Sequence, residues 1–234
     1  MNSCFLSWSG GKDASMALYH LRKSLQVDVK CLLTTVSGKY QRVSMHGVRR
    51  YLLESQAASL ELPLNVIELD EDVSMNSYEV SMKNAVEKMK LEGISTAAFG
   101  DIFLEDLKVY REKRLNEVGM SALFPLWKRN TFELAQEFVK LGFKAIVVCV
   151  NGDKLDRSFA GRAYDESFVN DLPEGVDPCG ENGEFHTFVY DGPVYSRPVR
   201  FEIGETVGRT YARPAPASDD DKEVVFWFAD LLDP

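Results

Sequence analysis

The sequence predicts an α/β protein: a doubly wound, mainly parallel sheet with a small C-terminal α+β appendage. Three observations predict it. Short apolar runs alternate with helix-period segments through the first 150 residues, and that alternation puts helices on both faces of a parallel sheet. The first run turns into a helix through two adjacent glycines, Gly10 and Gly11. After residue 150 the texture changes to short strands separated by Pro, Gly and acidic residues. The expected units are therefore 1–150, which opens on the glycine turn, and 151–234, which carries a second motif.

Residues 3–8 read as the first strand. Ala14, Leu18, Leu21 and Leu25 then share one helical face. Val27–Val36 is a second strand, and a helical stretch at 47–60 leads to Pro63 and a third strand at 66–69. Tyr78, Met82, Ala85, Val86 and Met89 share a face in a helix that Gly93 stops. Residues 96–99 are a fourth strand, closed by Gly100-Asp101. Leu107, Tyr110, Arg111, Leu115 and Val118 mark another helix, followed by a short strand at 121–124. Asn130 and Glu133 form a capping-box start for a helix that ends at Gly142. Ala145–Val150 is apolar throughout, as in a strand buried on both faces. Beyond it, 153–172 is mixed, 184–190 and 199–207 alternate like strands, 212–222 is a Pro/Ala/Asp loop, and 224–228 is a last strand. No internal repeat is visible. Ligands of such sheets bind at the carboxyl ends of the strands. The first turn, the 37–46 loop, Gly100-Asp101 and 125–130 should therefore crowd one edge.

Composition bounds the function. The chain has 234 residues, is 45% hydrophobic and carries a net charge of −9. That charge argues against a nucleic-acid partner, since phosphate neutralisation needs a basic surface. No apolar stretch is long enough to span a membrane, and no basic-then-apolar leader opens the chain, so a cytoplasmic protein without a membrane partner is expected. Cys4, Cys31 and Cys149 sit in apolar runs and read as buried hydrophobes. No Cys-x-x-Cys occurs. Cys179 lies in a polar, glycine-rich segment, where a reactive thiol and a bystander both fit.

Ser9-Gly10-Gly11-Lys12-Asp13-Ala14-Ser15 is built to hold phosphate. Glycines let the backbone turn tightly beside a ligand, and the following helix presents free N–H groups and the positive end of its dipole. Lys12 adds a cation; Ser9 and Ser15 add hydroxyls. A Walker A loop needs four residues between its first glycine and Gly-Lys-Ser/Thr, and a dinucleotide fingerprint needs a third glycine; neither is present. The turn resembles the PP-loop of the N-type ATP pyrophosphatases, Ser-Gly-Gly-x-Asp-Ser, with Ala14 in place of the final serine. Ser15 is next along but points about 100° further round the helix.

The second motif is Gly180-Glu181-Asn182-Gly183-Glu184-Phe185-His186-Thr187-Phe188, too polar for a core and too specific for a linker. With it, the chain resembles the diphthine–ammonia ligase family, in which a PP-loop domain precedes Gly-Glu-x-Gly-Glu-Phe-x-Thr-Phe. The resemblance extends to Phe99-Gly100-Asp101, Pro125-Leu126-Trp127 and Gly142-Phe143.

The resemblance implies an adenine nucleotide alpha-hydrolase-like fold and an ATP-dependent carboxylate–ammonia ligase. A diphthine-like carboxylate, on a modified histidine of an elongation factor, is adenylated with release of pyrophosphate. Ammonia then displaces AMP to give the amide. ATP and Mg²⁺ are the implied cofactors, with Asp13 as the metal candidate. Ser9, Gly10, Gly11, Lys12, Asp13, Ser15 and His46 are expected at the nucleotide. Gly180, Glu181, Gly183, Glu184, Phe185 and Thr187 are expected at the acceptor. Lys12, Asp13, Asp101, Glu181 and Glu184 are the residues implied for the chemistry, the other reading being a first-turn helix anion for Asp13 and a loop cap for Asp101. Glu181 and Glu184 fit two jobs, attracting a quaternary ammonium together with the Phe185 and Tyr190 rings or taking a proton from ammonium; a loop that uses its carboxylates as backbone caps is the alternative. Trp8 and Trp127 fit either adenine contacts or the core. His186 with Cys179 as metal ligands is a weaker option, lacking a spaced partner pair. A PP-loop RNA-modifying enzyme and a non-catalytic ATP-binding module remain as alternatives, and the oligomeric state is open.

Overall fold

The computed structural model describes residues 2–25, 27–43, 46–70, 75–213 and 223–234, with the side chains of 75 and 76 excepted. Most of the expected 212–222 loop, and part of the 37–46 loop, lies outside them. The first sheet contains β1 (Asn2–Ser7), β2 (Val27–Ser37), β3 (Arg42–Val43), β4 (Leu64–Leu69), β5 (Thr96–Ala98) and β6 (Ser121–Leu123). β1 lies between β2 and β5; β6 follows β5, and both β4 and β3 pair with β2. All pairings are parallel except that of the two-residue β3, which folds back on the end of β2. β3 is too short to leave a period in the sequence.

Alternation along the strands explains the double winding. Cys4, Leu6, Leu32 and Ala98 are buried in one cluster with Met16, Leu18 and Leu21 of α1 (Lys12–Ser24) and with Leu52, Leu53 and Leu60 of α2 (Arg50–Leu60). Phe5, Cys31, Leu33 and Ala97 point the other way, into a cluster with Val86 and Met89 of α3 (Met75–Leu91) and Leu115 of α4 (Glu105–Glu117). A period of two is what sends neighbouring residues to opposite layers. Leu25, expected on the inner face of the first helix, instead caps α1 in the left-handed conformation at φ 53° and is 70% exposed. Asn130 caps α5 (Thr131–Lys140) as expected, its Oδ1 accepting from Glu133 N at 3.0 Å.

The largest departure concerns β7 (Lys144–Asn151). It is buried on both faces as expected, yet it belongs to a second, antiparallel sheet in the order β8–β7–β10–β9. The other strands are β8 (Phe185–Asp191), β9 (Glu202–Ala212) and β10 (Glu223–Leu232), and α6 (Glu166–Asn170) precedes them. An apolar run shows burial on both faces but not the direction of the neighbour. Sheet membership therefore changes between β6 and β7, ahead of residue 150. Residues of both sheets share one hydrophobic cluster, including Leu18 and Leu53 of the first layer and Val147 and Phe188 of the second.

Candidate active site

The turn between β1 and α1 is made by the residues its sequence suggests. Gly10 has φ +79°, and a Cβ there would meet Leu53 Cδ2 at 2.7 Å and Gln56 Oε1 at 2.9 Å. Only glycine takes this position without moving α2. Gln56 is fully buried and explains the close approach. Its Nε2 donates to the Gly10 carbonyl at 2.9 Å and to the Val189 carbonyl at 2.6 Å, while its Oε1 accepts from Trp8 Nε1 at 2.9 Å. Trp8 is thus a buried partner of Gln56. A single amide ties β1, α2 and β8 around the turn, and nothing in helix periodicity singles it out.

Strand β8 completes the turn. Val189 N donates to the Gly10 carbonyl at 2.9 Å, and Lys12 N donates to Thr187 Oγ1 at 3.0 Å. Residues 175 apart in the chain therefore share a hydrogen bond at the first turn of α1. Ser9 Oγ accepts from Gly11 N at 3.3 Å. Some loop donors expected to face phosphate are thus occupied by Ser9 and Thr187 in this form.

Around this junction lies a cavity of about 530 Å³. Ser9, Gly11, Lys12, Asp13, His46, Asp101, Gly180, Glu181, Phe185 and Thr187 all line it. It therefore gathers the carboxyl edge of the first sheet, the Gly180–Glu181 loop and the start of β8. Segment 125–130 approaches only indirectly, through Lys128 N donating to the Ile102 carbonyl at 2.7 Å. Tyr78, Leu107 and Arg111 also line the cavity; periodicity marks them only as helix-face positions.

The charged groups are coupled. Lys12 is 4% exposed and its Nζ lies 2.7 and 2.8 Å from the Asp13 carboxylate oxygens. Burial disfavours the Lys12 ammonium, but Asp13 outweighs it, and the Lys12 pKa stands above its ordinary value. Burial likewise lifts Asp13, against the pull of Lys12. Asp101 pairs with Arg111, whose Nε lies 2.9 Å from Oδ2, and burial raises its pKa. Glu181 Oε1 accepts from Ile102 N at 2.7 Å and from Phe103 N at 3.3 Å. Burial nonetheless pushes its pKa up to about 7, which poises the carboxyl for proton transfer near neutrality. The His46 and His186 rings stack at 4.3 Å. Burial lowers both pKa values, that of His186 to about 4, so both imidazoles are neutral at pH 7.

Some expected site residues lie elsewhere, and the readings left open narrow to one. Ser15 is fully buried, with Oγ 3.1 Å from the Tyr195 hydroxyl; Ala14 takes the place on the cavity wall. Glu184 is 2% exposed and faces its own loop. Its Oε1 accepts from Asp177 N and Asn182 Nδ2, and its Oε2 from Asn182 N. It is a backbone cap. Neither Gly183 nor Gly10, expected at the nucleotide, lines the cavity, and the Gly10 carbonyl accepts from Gln56 and Val189 instead. The Cys179 thiol is buried, donates to the Thr131 carbonyl at 3.3 Å and is pushed up to about 12 by burial, so it is a poor nucleophile. Neither Trp8 nor Trp127 nor Tyr190 reaches the cavity.

Comparison with known proteins follows the same division. The family model described as Diphthamide synthase N-terminal domain matches residues 1–122, and that described as Diphthamide synthase C-terminal domain matches 130–212. The Diphthine--ammonia ligase of Bos taurus is 28% identical over 199 residues, covering 78% of this chain and 72% of that protein. The protein of the same name from Homo sapiens is 27% identical over 188 residues, covering 73% and 68%. Among solved structures, the U34-tRNA thiolase NcsA from Methanococcus maripaludis, with its [4Fe-4S] cluster, overlaps at a TM-score of 0.36 and 14% identity over 58% of this chain and 57% of that one. Among the described residues no helix is long and apolar enough to cross a membrane.

Proposed function

The chain belongs to the diphthamide synthase family, and on that premise we propose that it is an ATP-dependent ligase that amidates a diphthine-like carboxylate with ammonia. The observation that carries the reading is the junction itself: Lys12 N to Thr187 Oγ1 and Val189 N to the Gly10 carbonyl. It makes the phosphate-type turn and the C-terminal motif two walls of one cavity.

In this reading the acceptor carboxylate attacks the α-phosphorus, the bond to the α–β bridging oxygen breaks, and pyrophosphate leaves. Ammonia then attacks the acyl carbon, the bond to AMP breaks, and a proton is lost. Lys12 and the first-turn N–H groups of α1 stabilise the charge growing on pyrophosphate, where fixed donors lower a barrier most. The Thr187 hydroxyl accepts in this form and can turn to donate. Glu181 takes the proton from ammonium or from the adduct.

Mg²⁺ needs only one or two carboxylates when phosphates and waters complete its shell. Asp13, a third of whose side chain is exposed, fits such an ion arriving with the triphosphate, and Asp101 shares the cavity wall. No cluster of three potential ligands among the described residues would hold a metal alone. Bound Mg²⁺ would offset the charge of the triphosphate. An elongation-factor histidine as acceptor and a cytoplasmic location belong to the same proposal. The RNA-thiolating alternative needs reactive cysteines, and burial raises the pKa of Cys4, Cys31, Cys149 and Cys179 alike.

The test is release of AMP and pyrophosphate from ATP with and without ammonium and a diphthine-bearing acceptor. Acceptor-dependent AMP formation supports the ligase; ATP binding with no AMP under any of these conditions defeats it.

A further inference from the structure

Strand β10 lies beyond residue 212, where the matched C-terminal family model ends, and it does not line the cavity, yet it contacts residues on either side of His46, which does. Asp230 joins two arginines of the 42–49 loop. Arg42 donates from Nη1 to Oδ1 at 2.8 Å and from Nη2 to Oδ2 at 3.1 Å. Arg49 donates from Nε to Oδ1 at 3.2 Å and from Nη2 to Oδ2 at 2.7 Å. Each contact is two-pronged, the arrangement in which guanidinium fixes direction as well as charge.

The bridge fixes Arg42 and Arg49, and through Arg42 it also holds Gly47. Arg42 Nη1 also donates to the Gly47 carbonyl at 2.6 Å. Gly47 has φ +69°, and a Cβ there would fall 2.8 Å from Phe228 Cδ1, so β10 supplies the seat as well as the anchor. Gly47 N donates to the Val43 carbonyl at 3.0 Å and Val43 N to the Val48 carbonyl at 2.8 Å. The product of these contacts is the place of His46. Its ring stacks on His186, and its Cε1 is 3.4 Å from where a Gly11 Cβ would be. His46 Nδ1 is buried without a hydrogen-bond partner among the described residues, the ring's other polar neighbour being the Thr187 backbone. An orphaned acceptor or donor at this depth is costly, and a nucleotide polar group arriving in the cavity would relieve it.

We propose that Asp230 is a positioning residue for nucleotide binding: acting through Arg42, Arg49 and Gly47, β10 holds His46 against the bound nucleotide. The proposal rests on the reading that this cavity takes ATP. Burial alone would raise the Asp230 carboxyl, but the hydrogen bonds from Arg42 and Arg49 bring it down to about 2, so the bridge stays ionised across the neutral range.

The test is calorimetric titration of the whole chain with Mg-ATP, for the native sequence, Asp230→Asn, His46→Ala and the double variant. Each single change should weaken binding roughly tenfold, and the double should be no weaker than His46→Ala, because both act through one contact. Asp171→Asn, which removes the exposed pair with Arg162, should leave binding unchanged. Should Asp230→Asn fail to fold, Arg49→Lys carries the same test, keeping the charge and losing the two-pronged contact. Native binding with an indifferent Asp230→Asn, or with fully additive effects, overturns this inference alone. Absence of ATP binding by the native chain overturns both this inference and the proposed function.

Discussion

Segments 9–13 and 177–184 are both bent by glycine and both carry carboxylates, but they use them differently. In the first, Asp13 keeps a third of its side chain open to the cavity and holds Lys12 there. In the second, two glutamates three residues apart divide the work. Glu184 is buried and spends both oxygens on Asp177 and Asn182 of its own loop. Glu181 is left on the cavity wall, bonded to N–H groups of the segment between β5 and α4. The lesson is that an acidic, glycine-rich motif mixes scaffold and chemistry, and that the orientation of neighbouring N–H groups decides which is which.

The largest effect that separates the two loops is at Lys12. Lys12→Ala should lower AMP formation by about 10²–10³, the usual loss when a fixed donor to a developing oxyanion is removed. Activity within a few fold of native would remove the phosphate role. Next is Glu181→Gln, which keeps the acceptor for Ile102 N but cannot take a proton. Amide formation should fall about 10²-fold, while ATP binding measured by calorimetry holds. Glu184→Ala should act on the fold first. It strands the N–H groups of Asp177 and Asn182, at about 1–3 kcal/mol, and a lowered thermal midpoint would show it. Equal loss of activity in Glu181→Gln and Glu184→Gln, without loss of stability in the latter, would erase the contrast.

pH gives a finer separation. Glu181 has a folded pKa of about 7 against an ordinary 4.5. Its protonated form therefore favours the fold below about pH 4.5, and that contribution is lost as pH rises through 7. The midpoint of Glu181→Gln should gain on the native protein across that range. Asp230 runs the other way, at about 2 against an ordinary 3.8. Its contribution is present above 3.8 and is lost as pH falls through 2, so any deficit of Asp230→Asn should close in acid. The smallest effect is at Cys179: with its thiol at about 12, iodoacetamide at pH 8 should leave it unmodified in the folded chain.

Much of this was legible in the residues, and the rest was hidden for physical reasons. Gly10, Gly11 and Lys12 announce a turn because positive φ and a helix start leave local marks. The Asn130–Glu133 cap is local too. Gln56, Tyr195 and Thr187 act on the turn from 46 to 180 positions away, and no period reports such contacts. Ser15 escapes a local reading because its hydroxyl has a buried partner, Tyr195, that only the fold supplies. The apolar run of β7 looks the same in a parallel and an antiparallel sheet. Asp230 lies just past the 224–228 run that marks the last strand, and only the fold brings it to Arg42 and Arg49.

The claim beneath all of this is that the β1–α1 turn and the β8 motif grip one triphosphate. A crystal structure with an ATP analogue methylene-bridged between the α and β phosphates tests it most directly. The account predicts the β and γ phosphates against Gly11 and Lys12, with the Lys12 ammonium turned from Asp13 toward phosphate oxygen. A triphosphate seated elsewhere, with the Lys12–Asp13 pair and the turn untouched, would contradict it.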